Sequence, residues 1–224
     1  DRVVVVNLRR RTDRLDTFCA ALRRANWPFR EPEHFEAIDA SALPIPHRWS
    51  KPAGAWGCLQ SHRQIVERAI LDGVNRLLVL EDDAVFADNF GERVAAFLAA
   101  VPDDWQGLMI GGEHLSQPIE TGIPGVLRCT DTHRTHCFAA AGDWLRELYR
   151  VWHSTDCNGH CDYYAARTMP RFRVYAPDPF LAGQDDNRSD ITNNQKAKTF
   201  WPEKPTRTRR LVPAASPQLP RRPR

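Results

Sequence analysis

The chain has 224 residues, 42% hydrophobic and 26% charged, with 31 Lys/Arg against 28 Asp/Glu. That length suits one domain with a core of its own, and a net charge of +3 lacks the basic excess of a dedicated nucleic-acid binder. Six cysteines are too sparse for a disulfide-stapled fold, no run approaches the ~18 apolar residues of a membrane span, and Val3–Val6 is too short for a signal core, so a soluble cytoplasmic chain with reduced thiols is expected.

Val3 to Leu8 is a continuous apolar, β-branched run, the pattern of a strand covered on both faces. Thr12 or Asp13 then caps a helix to about Arg24, with Leu15, Phe18, Cys19 and Leu22 on one face. Phe35 to Ile38 reads as a short strand, and prolines at 44, 46 and 52 make the next stretch a loop. From about Trp56 to Leu71, the residues Leu59, His62, Val66, Ala69 and Ile70 recur at helical spacing, and Gly73 stands where a left-handed cap ends the helix. Leu77 to Leu80 is a central strand, Asp88 caps a helix to Ala100, and 108–110 is a strand closed by Gly111 and Gly112. A strand over Cys137–Ala140, helices over Asp143–Trp152 and Asp162–Arg167, and a strand over Phe172–Tyr175 follow.

Strands alternating with helices predict an α/β fold over residues 1–201, with parallel pairing in its first half and helices on both faces of a Rossmann-type mixed sheet. Residues 202–224 differ: six prolines, seven Lys/Arg and one acid predict a flexible basic tail, read as a solvated extension, with contact to a partner or peripheral contact with an anionic membrane surface as the alternative.

The strongest chemical signal is Leu77–Leu80 running directly into Glu81-Asp82-Asp83. Three adjacent carboxylates repel one another, and crowding them at the end of a buried strand is costly unless a cation neutralises them. Ligands of open α/β sheets bind at the carboxyl ends of strands, and oxygen donors suit Mg²⁺ or Mn²⁺. Alternate residues of an extended chain share a face, so Glu81 and Asp83 are expected to address one site and Asp82 another. A solvated acidic turn is the competing reading.

Four blocks then resemble glycosyltransferase family 25, the lipopolysaccharide and procollagen galactosyltransferase-like enzymes: Val5-Val6-Asn7-Leu8 with Arg11, Asp13 and Arg14; Phe35 to Ala40; Gly57-Cys58-Leu59-Gln60-Ser61-His62; and Leu80 to Phe86. They occur in family order, with Ala40 where glycine is usual; 108–112 and 179–191 match more loosely. The resemblance implies a GT-A-like fold and transfer of a hexose, galactose by family likeness, from a nucleotide sugar such as a UDP-sugar to a hydroxyl of a glycan or glycosylated acceptor. It implies inversion and a Mn²⁺ (or Mg²⁺) ion bridging the donor diphosphate. Asp83 is assigned as direct ligand with Glu81 as its partner; Asn7, Arg11, Arg14, Ser61, His62, Glu81, Asp82, Gln184, Asp185 and Ser189 are assigned to the donor pocket. His62, on an apolar helix face, reads equally well as a core residue.

An inverting transfer needs a base for the acceptor hydroxyl. Asp162 is the candidate, with Glu113 and His114 as rivals and a first-turn helix acid as its plain alternative. Cys157, His160 and Cys161 offer C-x₃-C spacing, a poor match to zinc pairs, and unlinked thiols are expected. A non-catalytic nucleotide-sugar or glycan-binding module on the same fold would keep the acidic site and lack a working base.

Overall fold

A computed structural model describes residues 1–185; Ser189 and the basic tail lie outside the described residues. The elements in chain order are β1 (Arg2–Asn7), α1 (Thr12–Arg24), β2 (Glu33–Glu36), a 3₁₀ turn (Ala40–Ala42), α2 (Ala53–Leu71), β3 (Arg76–Glu81), β4 (Ala84–Phe86) and α3 (Phe90–Ala100). They continue with β5 (Gly107–Met109), β6 (Glu113–His114), β7 (Ile119–Glu120), β8 (Val126–Arg128), β9 (Thr132–His133) and β10 (Cys137–Ala141). Then come α4 (Gly142–His153), α5 (Cys161–Ala166), a second 3₁₀ turn (Met169–Arg171), β11 (Val174–Pro177) and β12 (Ala182–Gln184).

Eight strands form one mixed sheet in the order β2-β1-β3-β10-β5-β11-β8-β7. The pairs β2–β1 and β1–β3 are parallel, as expected for the first half, and β10 runs antiparallel between β3 and β5. Two small ribbons, β12–β4 and β6–β9, stand beside it. The continuous apolar runs follow from burial on both faces. On one face Val4, Val6, Leu77 and Val79 pack with Leu59, Val66, Trp144, Leu148 and Trp152 of α2 and α4. On the other, Val3, Val5, Leu78 and Leu80 pack with Phe18, Leu22, Phe90, Val94 and Phe97 of α1 and α3.

The expected helices are present, with three differences at their starts. α1 has no side-chain cap from Thr12 or Asp13, and α2 begins at Ala53, three residues earlier than the apolar period suggests, with Ala55 of the added turn buried in the core. Asp88 does not cap α3: Asn89 does so in a left-handed conformation (φ 55°) without a side-chain bond. Gly73 has φ +66°, the left-handed ending expected after α2. The short strands β4, β6, β7, β8, β9 and β12 carry two or three residues each, too few for a two-residue period to register.

Candidate active site

The ends of β1 and β3 lie side by side, with Val6 opposite Glu81 in the parallel ladder. Residues alternate across the sheet, and Leu77 and Val79 face α2, so Glu81 faces α2 as well. There its Oε1 meets His62 Nε2 at 3.1 Å and accepts from the Thr135 hydroxyl at 2.7 Å. Asp82 lies on the α1 side, where Oδ2 accepts from Asn7 Nδ2 at 2.6 Å and Oδ1 pairs with Arg14 Nη2 at 2.7 Å.

The same-face expectation for Glu81 and Asp83 fails at this point. Residues 82 and 83 form a turn rather than extended chain, so Asp83 swings to the side of Asp82. Its Oδ2 lies 3.3 Å from the same Arg14 nitrogen and accepts from Gln184 Nε2 at 3.2 Å. Gln184 reaches it because β12 pairs with β4, Gln184 opposite Ala84. Asp83 Oδ1 is buried and has no hydrogen-bond partner among the described residues.

The three carboxyls differ in charge behaviour. Burial disfavours ionised Glu81, but the hydrogen bond and charge of His62 and the Thr135 hydroxyl outweigh it and pull the group down to about 2. Burial raises Asp82 against the pull of Arg14 and Asn7. Burial and then the Glu81 charge push Asp83 up to about 7, despite Arg14. For His62 burial works downward, yet the facing Cys161 sulfur and Glu81 give a net rise.

A cleft opens over these groups, lined by Asn7, Arg10, Arg14, Ile38 to Ser41, Ala53, Gly54, Cys58, His62 and all three acids. Ala53 and Gly54 are the first two residues of α2, whose N-terminus has no side-chain cap, so backbone N–H groups and arginines meet carboxylates in one space. Arg10, outside the favoured pattern, lines the cleft and pairs with Asp39. Arg11, expected at the donor, is not among the lining residues; its guanidinium holds Asp13, with Nη2 at 3.0 Å.

Ser61 is a second correction. It is buried, its hydroxyl donates to the Gly57 carbonyl at 2.8 Å and accepts from Ile38 N at 2.9 Å, and it does not line the cleft. Gly57 serves the same contact, since a Cβ there would stand 2.4 Å from the Ile38 carbonyl oxygen. The Gly57–His62 block therefore seats α2 against the loop after β2.

A second cleft is lined by Ser50, Lys51, Glu113, His133, Arg134, His160, Asp162 and Tyr163. Both base candidates are in it. Arg134 donates to Glu113 Oε2 from Nε at 3.1 Å and Nη2 at 2.9 Å, which commits that carboxylate. Asp162, in the first turn of α5, accepts from Arg134 N at 3.2 Å and Tyr163 N at 2.7 Å. His133 stands between Asp131 (3.0 Å) and Asp162 (3.9 Å), a row that nothing in the sequence reading pointed to. His114, the other rival, turns inward: it is buried, meets the Thr132 hydroxyl at 2.8 Å, and burial takes it down to about 4.

The family model for glycosyltransferase family 25 (LPS biosynthesis protein) matches residues 1–114, a stretch that holds all four blocks and both strand ends at the acidic turn. The chain belongs to glycosyltransferase family 25. Among curated relatives, the human inactive glycosyltransferase 25 family member 3 is 25% identical over 223 residues, covering 90% of this chain and 34% of that protein. The procollagen lysyl hydroxylase and glycosyltransferase of Acanthamoeba polyphaga mimivirus is 32% identical over 146 residues, covering 54% of this chain and 16% of that protein. The chain thus spans about a third or less of the length of these curated relatives. Among solved structures, a glycosyltransferase involved in glycosylation of the major capsid of PBCV-1 aligns with 12% identity and a TM-score of 0.45, over 80% of this chain and 81% of that one. Among the described residues, no helix is long and apolar enough to cross a membrane.

Proposed function

We propose that this family 25 chain transfers a hexose from a nucleotide sugar to a hydroxyl of a glycan or glycosylated acceptor, with inversion and with the help of Mn²⁺ or Mg²⁺. A UDP-hexose is the donor this reading favours, and galactose the sugar, by family likeness. The observation that carries it is the acidic turn: three carboxylates line one cleft, Asp82 and Asp83 share the Arg14 guanidinium, and buried Asp83 Oδ1 has no partner among the described residues.

That set fits a hard divalent ion. Asp83 and Asp82 are the proposed ligands, while Glu81, committed through Oε1 to His62 and Thr135, acts through its charge. Bound there, the ion supplies Lewis-acid stabilisation of charge growing on the leaving diphosphate. The chain's own groups do the rest. The α2 N-terminus, Arg10 and Arg14 favour the diphosphate, and Asn7 holds Asp82 in place. In the second cleft Asp162 takes the acceptor proton, with His133 beside it. Glu113, held by Arg134, positions the wall.

A second reading is supported by the name of the human relative, which calls that protein inactive. A chain of that kind would bind the nucleotide sugar and not turn it over. The test incubates the purified chain with Mn²⁺ and a panel of nucleotide sugars, with and without glycan acceptors, following free nucleotide and glycosylated product. Acceptor-dependent nucleotide release supports the transferase. Binding without turnover supports the module, and absence of any nucleotide-sugar binding overturns both.

A further inference from the structure

Where the wall of the first cleft meets α5 lies a cluster of possible metal ligands to which neither proposed role assigns a metal. Cys58 and His62 are one turn apart on α2, and Cys161 opens α5, 103 positions after Cys58. One ligand atom from each lies within 4.8 Å of the others. The sulfurs of Cys58 and Cys161 are 3.8 Å apart. With Zn–S bonds of ~2.3 Å, the edge of a tetrahedral zinc site is roughly 3.8 Å.

The imidazole adds an independent observation. His62 is 1% exposed; its Nε2 faces Glu81, and its Nδ1 has no hydrogen-bond partner among the described residues. A metal-bound histidine commonly gives its other ring N–H to a carboxylate, and Glu81 stands where that carboxylate belongs. Cys161 is held independently by its backbone, since its carbonyl accepts from Trp152 Nε1 at 2.9 Å. The ring packing of His62 against Phe138 and Trp152 makes the surroundings apolar. Zn²⁺ with two thiolates and a neutral imidazole carries no net charge, which such surroundings tolerate.

We infer that Cys58, His62 and Cys161 form a zinc site, with His62 ligating through Nδ1 and Glu81 orienting it through Nε2–H. The donor set is soft, so it is chemically distinct from the oxygen-lined acidic turn and selects Zn²⁺ over Mn²⁺ or Mg²⁺. The fourth position is left to water. Because α2 lines the first cleft and α5 the second, the ion clamps the separation between them. The pairing is distinct from the C-x₃-C spacing of Cys157 and Cys161, and the ligand set cannot be found from local spacing because α5 comes to α2 only in the fold.

The test measures zinc per chain after purification in zinc-containing buffer and dialysis, and the spectrum of the metal-free chain titrated with Co²⁺. One zinc per chain and a Co²⁺–thiolate charge-transfer band are expected. Cys58→Ser and Cys161→Ser should each lose the zinc, whereas Cys157→Ser and Asp83→Asn should keep it. Because a serine variant can fail to fold, alkylation of the unsubstituted chain provides a second reading: zinc should protect Cys58 and Cys161 and leave the protection of Cys129 unchanged. Absence of the charge-transfer band, zinc retained by Cys161→Ser, or zinc lost by Asp83→Asn would overturn the assignment.

Discussion

The two clefts are built from different material. The first is made where neighbouring parallel strands end, and three of its acids are the consecutive residues 81–83. The second draws on residues near 50, 113, 133 and 160, carried by a two-residue ribbon and a six-residue helix. Their charge balance differs too. In the second cleft Glu113 has Arg134, and Asp162 has backbone donors with His133 near by. In the first, Arg14 is shared between Asp82 and Asp83, and burial with the Glu81 charge holds Asp83 up to about 7. The cleft with unbalanced acids is the one suited to a cation, and the balanced one is suited to proton transfer.

The largest effect expected from this contrast is at Asp83. Asp83→Asn should abolish Mn²⁺-stimulated turnover while stabilising the chain. Its folded value lies above the ordinary 3.8, so ionised Asp83 costs stability, increasingly as pH rises from about 4 to about 7. Removing the charge should raise Tm near pH 8 and have progressively less effect as the pH falls toward 4. Unchanged turnover would remove Asp83 from the site. Glu81 has the opposite sign: held at about 2, it contributes stability above its ordinary 4.5 that is lost as pH falls through about 2.

In the second cleft, Asp162→Asn should lower kcat by roughly 10²–10⁴-fold with little change in donor KM. Glu113→Gln should cost kcat less than about tenfold, because Arg134 already occupies that carboxylate. Steady-state kinetics on both variants separates them, and the reverse order would exchange their roles.

Gly57→Ala should then destabilise the fold by about 1–3 kcal/mol, since the added Cβ meets backbone that cannot move aside like a side chain. Urea denaturation measures this, and a neutral result would mean that α2 shifts freely against the loop. The smallest effect is in metal affinity. With Asp83 as the proposed ligand, Mn²⁺ would compete with its proton, so the Kd should worsen by up to about tenfold for each pH unit below about 7 and level off above it. A flat profile in calorimetric titrations would show that Asp83 is not the titrating ligand.

Much of the first cleft was legible because its signals are local. A buried strand ending in three acids, an Asn at the end of β1, and a helix with one apolar face each occupy a few consecutive residues. The same locality misled at Asp83 and Ser61. Alternation assumes extended chain, and residues 82–83 turn; a hydroxyl in a family-like block looks available for ligand until Ile38 N is seen bonded to it. The second cleft was legible only at Asp162 and Glu113, because a ribbon of two residues per strand leaves no periodicity by which His133 and Arg134 stand out.

By itself, then, the sequence determined the alternation of strands and helices, the two-sided burial of β1 and β3 and the place of the acidic turn, since these depend on the spacing of apolar and charged residues along a short stretch of chain. Only the tertiary structure decided which acid faces which helix, that Arg14 joins Asp82 to Asp83, and that Cys161 comes within 3.8 Å of Cys58. Those pairings are made between residues far apart in the chain, and they are set by how α1, α2 and α5 pack, which no local spacing records.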